Sequence, residues 1–478
     1  MFSDWDNYDD DFGTLDVLKR YQEMIIGNSY CFFDLCEYEC IIDYYRDQYN
    51  YKEAVDAACR AIKQHPEASS MKLRYSQLLI ETGKPGKAIS MLKRIEAVEN
   101  HNFEMHLSKG LALNITGKCA EAESSFQRAL MICVEDKDEV AYEIAQSFMQ
   151  LEMNELAVKY LQIAFEDNPA NILVLYDLAS SYLKIDKPQK SIYFYQKYLD
   201  LDPFAEHVWD NLGLIFDSIG NKNKAEESFD FALAINPQYI PAYFDKAEML
   251  LRNNELCRAV SVYEELLVED NSNTKAMCEM GYCFHQMGFY PEALDFYRQA
   301  LIVTGECSEA WLGLGSVYLS MGKFMLSINM IRKAVSLQPE NADYWFMLGR
   351  AYSGARKLNK AILAFTRASE LNPFDYDTWM MCAQLLFKKR RISEAICMLQ
   401  QLLEYNNDDP VIHYRLAAYF AYEGDLSTAQ KYLKQGLRLN YQGHTEMFRL
   451  FPKTRTLPIF RQVIENNHQP DRVFKKSR

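Results

Sequence analysis

Large and small residues return along this chain at a fixed step. Counting from Glu206, Trp209 is the fourth residue, Leu212 and Gly213 the seventh and eighth, and Phe216 the eleventh. Gly220 is fifteenth, Ala225 twentieth, Phe229 twenty-fourth, Ala232 twenty-seventh and Pro237 thirty-second. The same classes recur every 34 residues from Ile240, Thr274, Ser308, Ala342, Tyr376 and Pro410, and backward from Ile172 and Asp138. One extra residue near Asp136 shifts the register, which then continues back through Phe103, Ser69 and Leu35. The twentieth position is Ala or Ser in all twelve units, and the eighth is Gly, Ala or Ser in every unit except the first, which has Ile42.

The spacing predicts two helices of three to four turns per unit, joined by a tight turn. Small residues at eight and twenty mark where the two helices cross closely, and large residues at four, seven, eleven and twenty-four fill the remaining space. Gly83, Gly117, Gly220, Gly288, Gly322 and Gly424 suit the turn, since glycine tolerates left-handed backbone. Pro66, Pro169, Pro203, Pro237, Pro339 and Pro373 stop the second helix. One such unit cannot bury its apolar face alone, but stacked neighbours can.

This pattern resembles the tetratricopeptide repeat (TPR) over residues 35 to about 441. Asn100, Val134, Asn271, Gly305, Asn407 and Tyr441 depart from it by replacing the proline at position thirty-two. The resemblance implies an all-α fold, a right-handed superhelical solenoid of antiparallel helix pairs, with twelve repeats starting at 35, 69, 103, 138, 172, 206, 240, 274, 308, 342, 376 and 410. Residues 1–34 read as an acidic tail over 1–13 and a capping helix, capped by Thr14, with Val17, Leu18, Tyr21, Met24 and Ile25 on one side. Residues 442–478 read as two short capping helices, His444 to Leu450 and Leu457 to Asn466, followed by a basic tail at Arg472–Arg478.

Composition narrows the partner. With 66 acidic against 52 basic residues the net charge is −14, a field that repels phosphate backbones and anionic lipid. The start, Met1 to Asp11, places acid where a signal peptide carries base, and no apolar run reaches membrane-spanning length. The expected location is therefore the cytoplasm. Twelve cysteines are scattered with no Cys-x-x-Cys pair, and read as reduced thiols serving as small apolar residues.

No catalytic constellation stands out, so an enzyme is not expected, and neither is a cofactor. Gly313-Leu-Gly-Ser316 falls within a first helix, and Gly83-Lys-Pro-Gly-Lys87 lacks the spacing of a phosphate loop. Cys278, Cys283 and His285 share one helix, but Cys283 lies off the face of the other two, so they read as core thiols plus a groove histidine with no metal.

In TPR proteins the first helices line a concave groove, with positions two, five, six, nine and twelve facing inward. Position five is apolar or aromatic at Leu73, Tyr142, Tyr176, Phe244, Leu312, Phe346, Met380 and Tyr414; position twelve adds Leu183, Leu251, Leu319 and Phe387. Acids flank them at Glu139, Glu143, Asp177, Asp210, Asp245, Glu248, Glu279, Glu309, Asp343 and Asp377, with Arg350 as an exception. The candidate binding residues are Tyr142, Glu143, Tyr176, Asp177, Asp210, Asn211, Phe244, Asp245, Glu248, Glu279, Phe346 and Arg350. No repeat carries the Lys–Asn pair of the family's chaperone-binding carboxylate clamp, and only Asn211 fits the asparagine ladder of members fused to O-GlcNAc transferase. The expected function is a scaffold or adaptor for a protein or peptide, basic with apolar anchors, rather than a nucleic acid or a membrane. A regulatory subunit of an enzyme encoded elsewhere is the alternative, and a helical-repeat nucleic-acid reader is disfavoured by the 34-residue period and the acidic groove.

Overall fold

The computed structural model describes residues 12–27, 30–405 and 408–467. The acidic tail before Phe12, Asn407 and the basic tail Arg472–Arg478 lie outside them. Among the described residues all regular structure is helical, and twelve consecutive helix pairs run from Leu35–Asp47 with Tyr51–Gln64 to Pro410–Glu423 with Leu426–Leu439. Contacts divide the chain into two units, Met1–Ile235 and Asn236–Arg478.

Three features recur along the array and explain the register. The first is the crossing of the two helices. A Cβ placed on Gly110 would meet the Phe126 ring at 2.3 Å, one on Gly213 the Phe229 ring at 2.5 Å, one on Gly315 Ile331 at 2.3 Å, and one on Gly349 the Phe365 ring at 2.7 Å. Each pair joins position eight to position twenty-four of the same hairpin. Phe126, Phe229, Ile331 and Phe365 are fully buried, so the large residue has nowhere to retreat. Gly313-Leu-Gly-Ser316 has the same explanation: its glycines make room for Tyr297 and Ile331 inside the helix Ser308–Ser320.

The second is the turn. Position fifteen has positive φ in all twelve hairpins: six are the glycines named above, and the others are Tyr49, Glu152, Asp186, Asn254, Arg356 and Arg390, at φ 53–61°. The left-handed residue is thus demanded by the geometry of the hairpin, and glycine is only the cheapest way to supply it, by about 1–2 kcal/mol.

The third is a clamp between hairpins. Trp209 Nε1 donates to the Pro203 carbonyl at 3.0 Å, Trp311 to Gly305 at 3.2 Å, Trp345 to Pro339 at 2.8 Å and Trp379 to Pro373 at 3.0 Å. The Tyr243 hydroxyl donates to Pro237 in the same way at 3.2 Å. Here a position-four side chain satisfies the carbonyl at position thirty-two of the preceding hairpin. Because that acceptor is backbone, Gly305 serves as well as proline, which is how the array tolerates its departures.

Both ends carry further packed helices. The helix Phe12–Ile26 begins two residues before Thr14, which therefore lies within it rather than capping it. Its Leu18, Tyr21 and Met24 are buried, with Tyr21 among the rings of Phe33, Tyr38 and Tyr45, whereas Ile25 faces solvent. In the second unit, Gly443–Leu450, a 3₁₀ turn at Pro452–Thr456 and Pro458–Asn467 bury Met447, Phe451, Phe460 and Val463 against the last hairpins.

Candidate binding groove

The first-helix positions read as inward-facing come together most clearly in the first unit. A cleft of about 590 Å³ is lined by Arg46, Arg74, Gln77, Ile80, Glu104, Leu107, Ser108, Leu111, Glu139 and Glu143, together with four flanking residues. All ten occupy position two, five, six, nine or twelve of the first four hairpins. The charge is mixed rather than purely acidic. Arg46 pairs with Glu81 at 2.8 Å, and Arg74 pairs with Asp43. These arginines were missed as groove residues, although they stand at positions twelve and six and the same register would have found them.

Further along the first unit the candidate residues form a ladder. The Tyr142 hydroxyl donates to Asp177 Oδ2 at 2.9 Å, and Asn211 Nδ2 donates to the Tyr176 hydroxyl at 3.2 Å. In both rungs position five of one hairpin meets position six of the next. Both tyrosines are half-buried, and the hydroxyl of each is engaged by the following hairpin. Tyr176 also packs edge-on against Tyr195 at 5.6 Å. Asp210 departs from the reading: at 4% exposure it belongs to the interior and offers no accessible charge. Leu73, Met380 and Tyr414 are likewise buried, at 4–7% exposure, and serve packing.

In the second unit, Phe244 is half-buried, packs on Tyr263 at 5.7 Å, and has the Lys275 ammonium 4.2 Å from its ring centre. A position-five aromatic therefore already accepts a cation, supplied by position two of the next hairpin. Phe346 packs on Phe365 at 5.6 Å. Glu248 and Arg350 are exposed, Glu248 paired with Arg252 at 3.0 Å, while Asp245 and Glu279 are half-buried.

Three of the candidate carboxyls have raised pKa values. Burial pushes Asp177 up, against the opposing hydrogen bond from Tyr142 and the charge of Lys184. Surrounding protein does the same to Glu143, although solvent reaches it, with Arg46 opposing. Glu279 rises through burial and then through Glu309, with Lys275 opposing. The Tyr142 phenol is pushed up to about 12 by burial and by its bond to Asp177. A carboxyl with a raised folded pKa contributes stability that is present below the unfolded pKa and lost as pH rises through the folded one. For Asp177→Asn, whose amide oxygen still accepts from Tyr142, we expect equal or greater stability at pH 7 and a flatter stability profile as pH rises above about 4. Urea denaturation across that range measures it; a loss of more than roughly 1 kcal/mol at pH 7 would show instead that the ionised pair holds the hairpins together.

Stacked antiparallel hairpins with a polar, aromatic first-helix face define a helical-repeat protein. Its residues 41–99 and 142–206 match one tetratricopeptide-repeat family and residues 206–239 another, while 259–457 match the Cilia and flagella-associated protein 70 C-terminal domain. The chain belongs to the tetratricopeptide-repeat family.

Among curated proteins it is 24% identical over 170 residues to Protein FlbA of Caulobacter vibrioides, a match that takes in 36% of this chain and 28% of that relative's length. Among solved structures, YrrB, a TPR protein with an unusual peptide-binding site, is 20% identical with a TM-score of 0.35, covering 41% of this chain and 98% of its own. Naa15/Naa10 bound to HypK-THB is 13% identical with a TM-score of 0.38, covering 89% and 81%. The APC/C hetero-tetramer Cut9-Hcn1 is 13% identical with a TM-score of 0.36, covering 95% and 99%. No helix among the described residues is long and apolar enough to cross a membrane.

Proposed function

We propose that this chain is a non-catalytic scaffold or adaptor that works in the cytoplasm and takes a partner protein segment along its first helices. The same reading divides it into twelve repeats from residue 35 to about 441 with helical caps at each end. The observation that carries the proposal is the cleft of the first unit, whose walls are drawn from the five inward positions of successive hairpins. Those positions do little for the helix crossing, so their residue types are free to serve a ligand.

The segment it fits carries Lys or Arg between apolar anchors. Glu143 and Asp177, whose pKa values the surrounding protein raises, gain from a nearby cation, because the cation restores electrostatic stabilisation that desolvation removed. Half-buried tyrosine and phenylalanine rings supply flat apolar surface at low entropic cost. Lys275 over Phe244 is the intramolecular version of that contact. A net charge of −14 supports the same sign of partner and argues against nucleic acid and anionic membrane. Arg46 and Arg74 add a requirement that composition hides: the part of the segment near the first two hairpins tolerates, or carries, an acidic residue.

Panning a random peptide library displayed on phage against the full chain tests this. The expected enrichment is Lys or Arg interleaved with large apolar residues. Enrichment of acidic peptides, or of none over an unrelated helical protein, would overturn it.

A further inference from the structure

Two cysteines and a glutamate that are distant in sequence converge in the second unit. Cys278 is buried on the helix Thr274–Met287, Cys307 is the residue that precedes and caps Ser308–Ser320, and Glu309 lies in that helix's first turn. The two Sγ atoms are 3.8 Å apart, and these sulfurs and a Glu309 carboxylate oxygen all lie within 4.8 Å of one another. The trio differs from the one the sequence brings to mind. Cys283 is fully buried elsewhere on its helix, and His285 is bonded to Ser320 at 2.9 Å.

The spacing fits a metal site. Tetrahedral zinc with bonds of about 2.3 Å to two thiolates requires sulfurs about 3.8 Å apart. A disulfide would need the sulfurs at about 2.05 Å, so at 3.8 Å the two are unbonded thiols. The positions are held from both sides. The ring of Tyr297 packs between Gly281 and Gly313, one on each of the two helices, and the Tyr344 hydroxyl donates to Ser308 Oγ at 3.2 Å at the very start of the second.

We propose that Cys278, Cys307 and Glu309 bind a zinc-class divalent ion, with two thiolates and one carboxylate as ligands and water in the fourth position. On binding, each thiol forms a sulfur–metal bond and gives its proton to solvent, so two protons leave per ion, and Glu309 contributes a carboxylate oxygen. Two sulfur ligands select zinc, cobalt and similar ions over magnesium and calcium, which take oxygen. The exposed Glu309 leaves one side of the site open to solvent, so the fourth ligand is exchangeable. Cys278 and Glu309 stand at positions five and two, on the first-helix face read as the groove, but the site needs no partner segment to form.

Cobalt(II) is the probe, added to the reduced, chelator-stripped full chain, with zinc then used to displace it. The expected result is one equivalent of cobalt with thiolate-to-metal charge-transfer absorption and tetrahedral visible bands. These are lost in Cys278→Ala and in Cys307→Ala, and zinc competes them away. Glu309→Gln should weaken zinc by more than about tenfold, the scale that even an outer-shell change costs. Far-ultraviolet circular dichroism checks the fold; should Cys278→Ala fail it, the half-buried Cys307 and the exposed Glu309 still decide the matter. The proposal is overturned if equimolar cobalt gives no thiolate band. It is equally overturned if the band survives in the cysteine variants, since the other ten cysteines would then hold the ion.

Discussion

Adding a methyl group at Gly213 is expected to destabilise this protein, and the same methyl group is expected to stabilise it once Phe229 has been cut to alanine. A Cβ at Gly213 would stand 2.5 Å from the Phe229 ring, which is fully buried. Overpacking of this kind costs about 1–3 kcal/mol. Against it stands a helix-propensity gain of about 1 kcal/mol for alanine over glycine, so Gly213→Ala alone should lose up to about 2 kcal/mol. Phe229→Ala alone should lose about 3–5 kcal/mol, through lost burial and the cavity left behind. In that background the clash is gone and the propensity gain remains, so the sign of Gly213→Ala reverses. Urea denaturation of the four proteins in this double-mutant cycle reads the coupling directly. Additive losses would mean that position eight is small for some reason other than the residue at twenty-four.

That pairing also explains how much of the fold could be read without coordinates. Positions eight, twenty and twenty-four are constrained by side-chain volume, and volume is visible in residue type. The helix pairs and the family followed from them. The turn was only partly visible: six glycines marked it and Asp186 and Asn254 are types that tolerate it, whereas Tyr49, Glu152, Arg356 and Arg390 adopt the same left-handed conformation with nothing in their type to announce it. Backbone strain is tolerated at one residue when the packing of two helices fixes the rest, so the sequence need not show it. Thr14 misled for the opposite reason, since a good capping residue lies inside a helix that starts earlier at Phe12.

The candidate groove was legible as a list of positions but not as an electrostatic surface. Knowing that a residue sits at position five or six does not say how deep it lies. Asp210 and Asn211 are neighbours on one helix, yet Asp210 is buried while Asn211 reaches the Tyr176 hydroxyl. Tyr142 and Tyr414 share position five, but Tyr414 is 4% exposed and its hydroxyl donates to the Asn440 carbonyl at 2.6 Å beneath the C-terminal helices. The thiol pair of Cys278 and Cys307 was invisible for a simpler reason. One lies within the helix Thr274–Met287 and the other just before Ser308–Ser320, and only the stacking of consecutive hairpins brings them together.

Reversing charge at Glu143 and Asp177 is expected to have the largest effect on binding. Both lie in the first unit at position six, where a partner's lysine or arginine would pass. A pair of unit charges about 5 Å apart at an effective dielectric of 20 interacts by roughly 3 kcal/mol, and screening by solvent and salt cuts that to about 1–2 kcal/mol. Glu143→Lys with Asp177→Lys should therefore weaken a basic ligand about a hundredfold in Kd. Asp210 is left alone, since a lysine at a buried position would test folding rather than binding. The decisive measurement is the Kd of one enriched basic peptide for the parent and doubly reversed chains, by titration calorimetry over a range of salt. A groove that binds through its carboxyls gives a parent Kd that rises with salt, and a reversed chain that is far weaker at low salt and nearer the parent at high salt. Equal dissociation constants at every salt concentration, with helicity intact, would place the binding surface somewhere other than the first-helix groove.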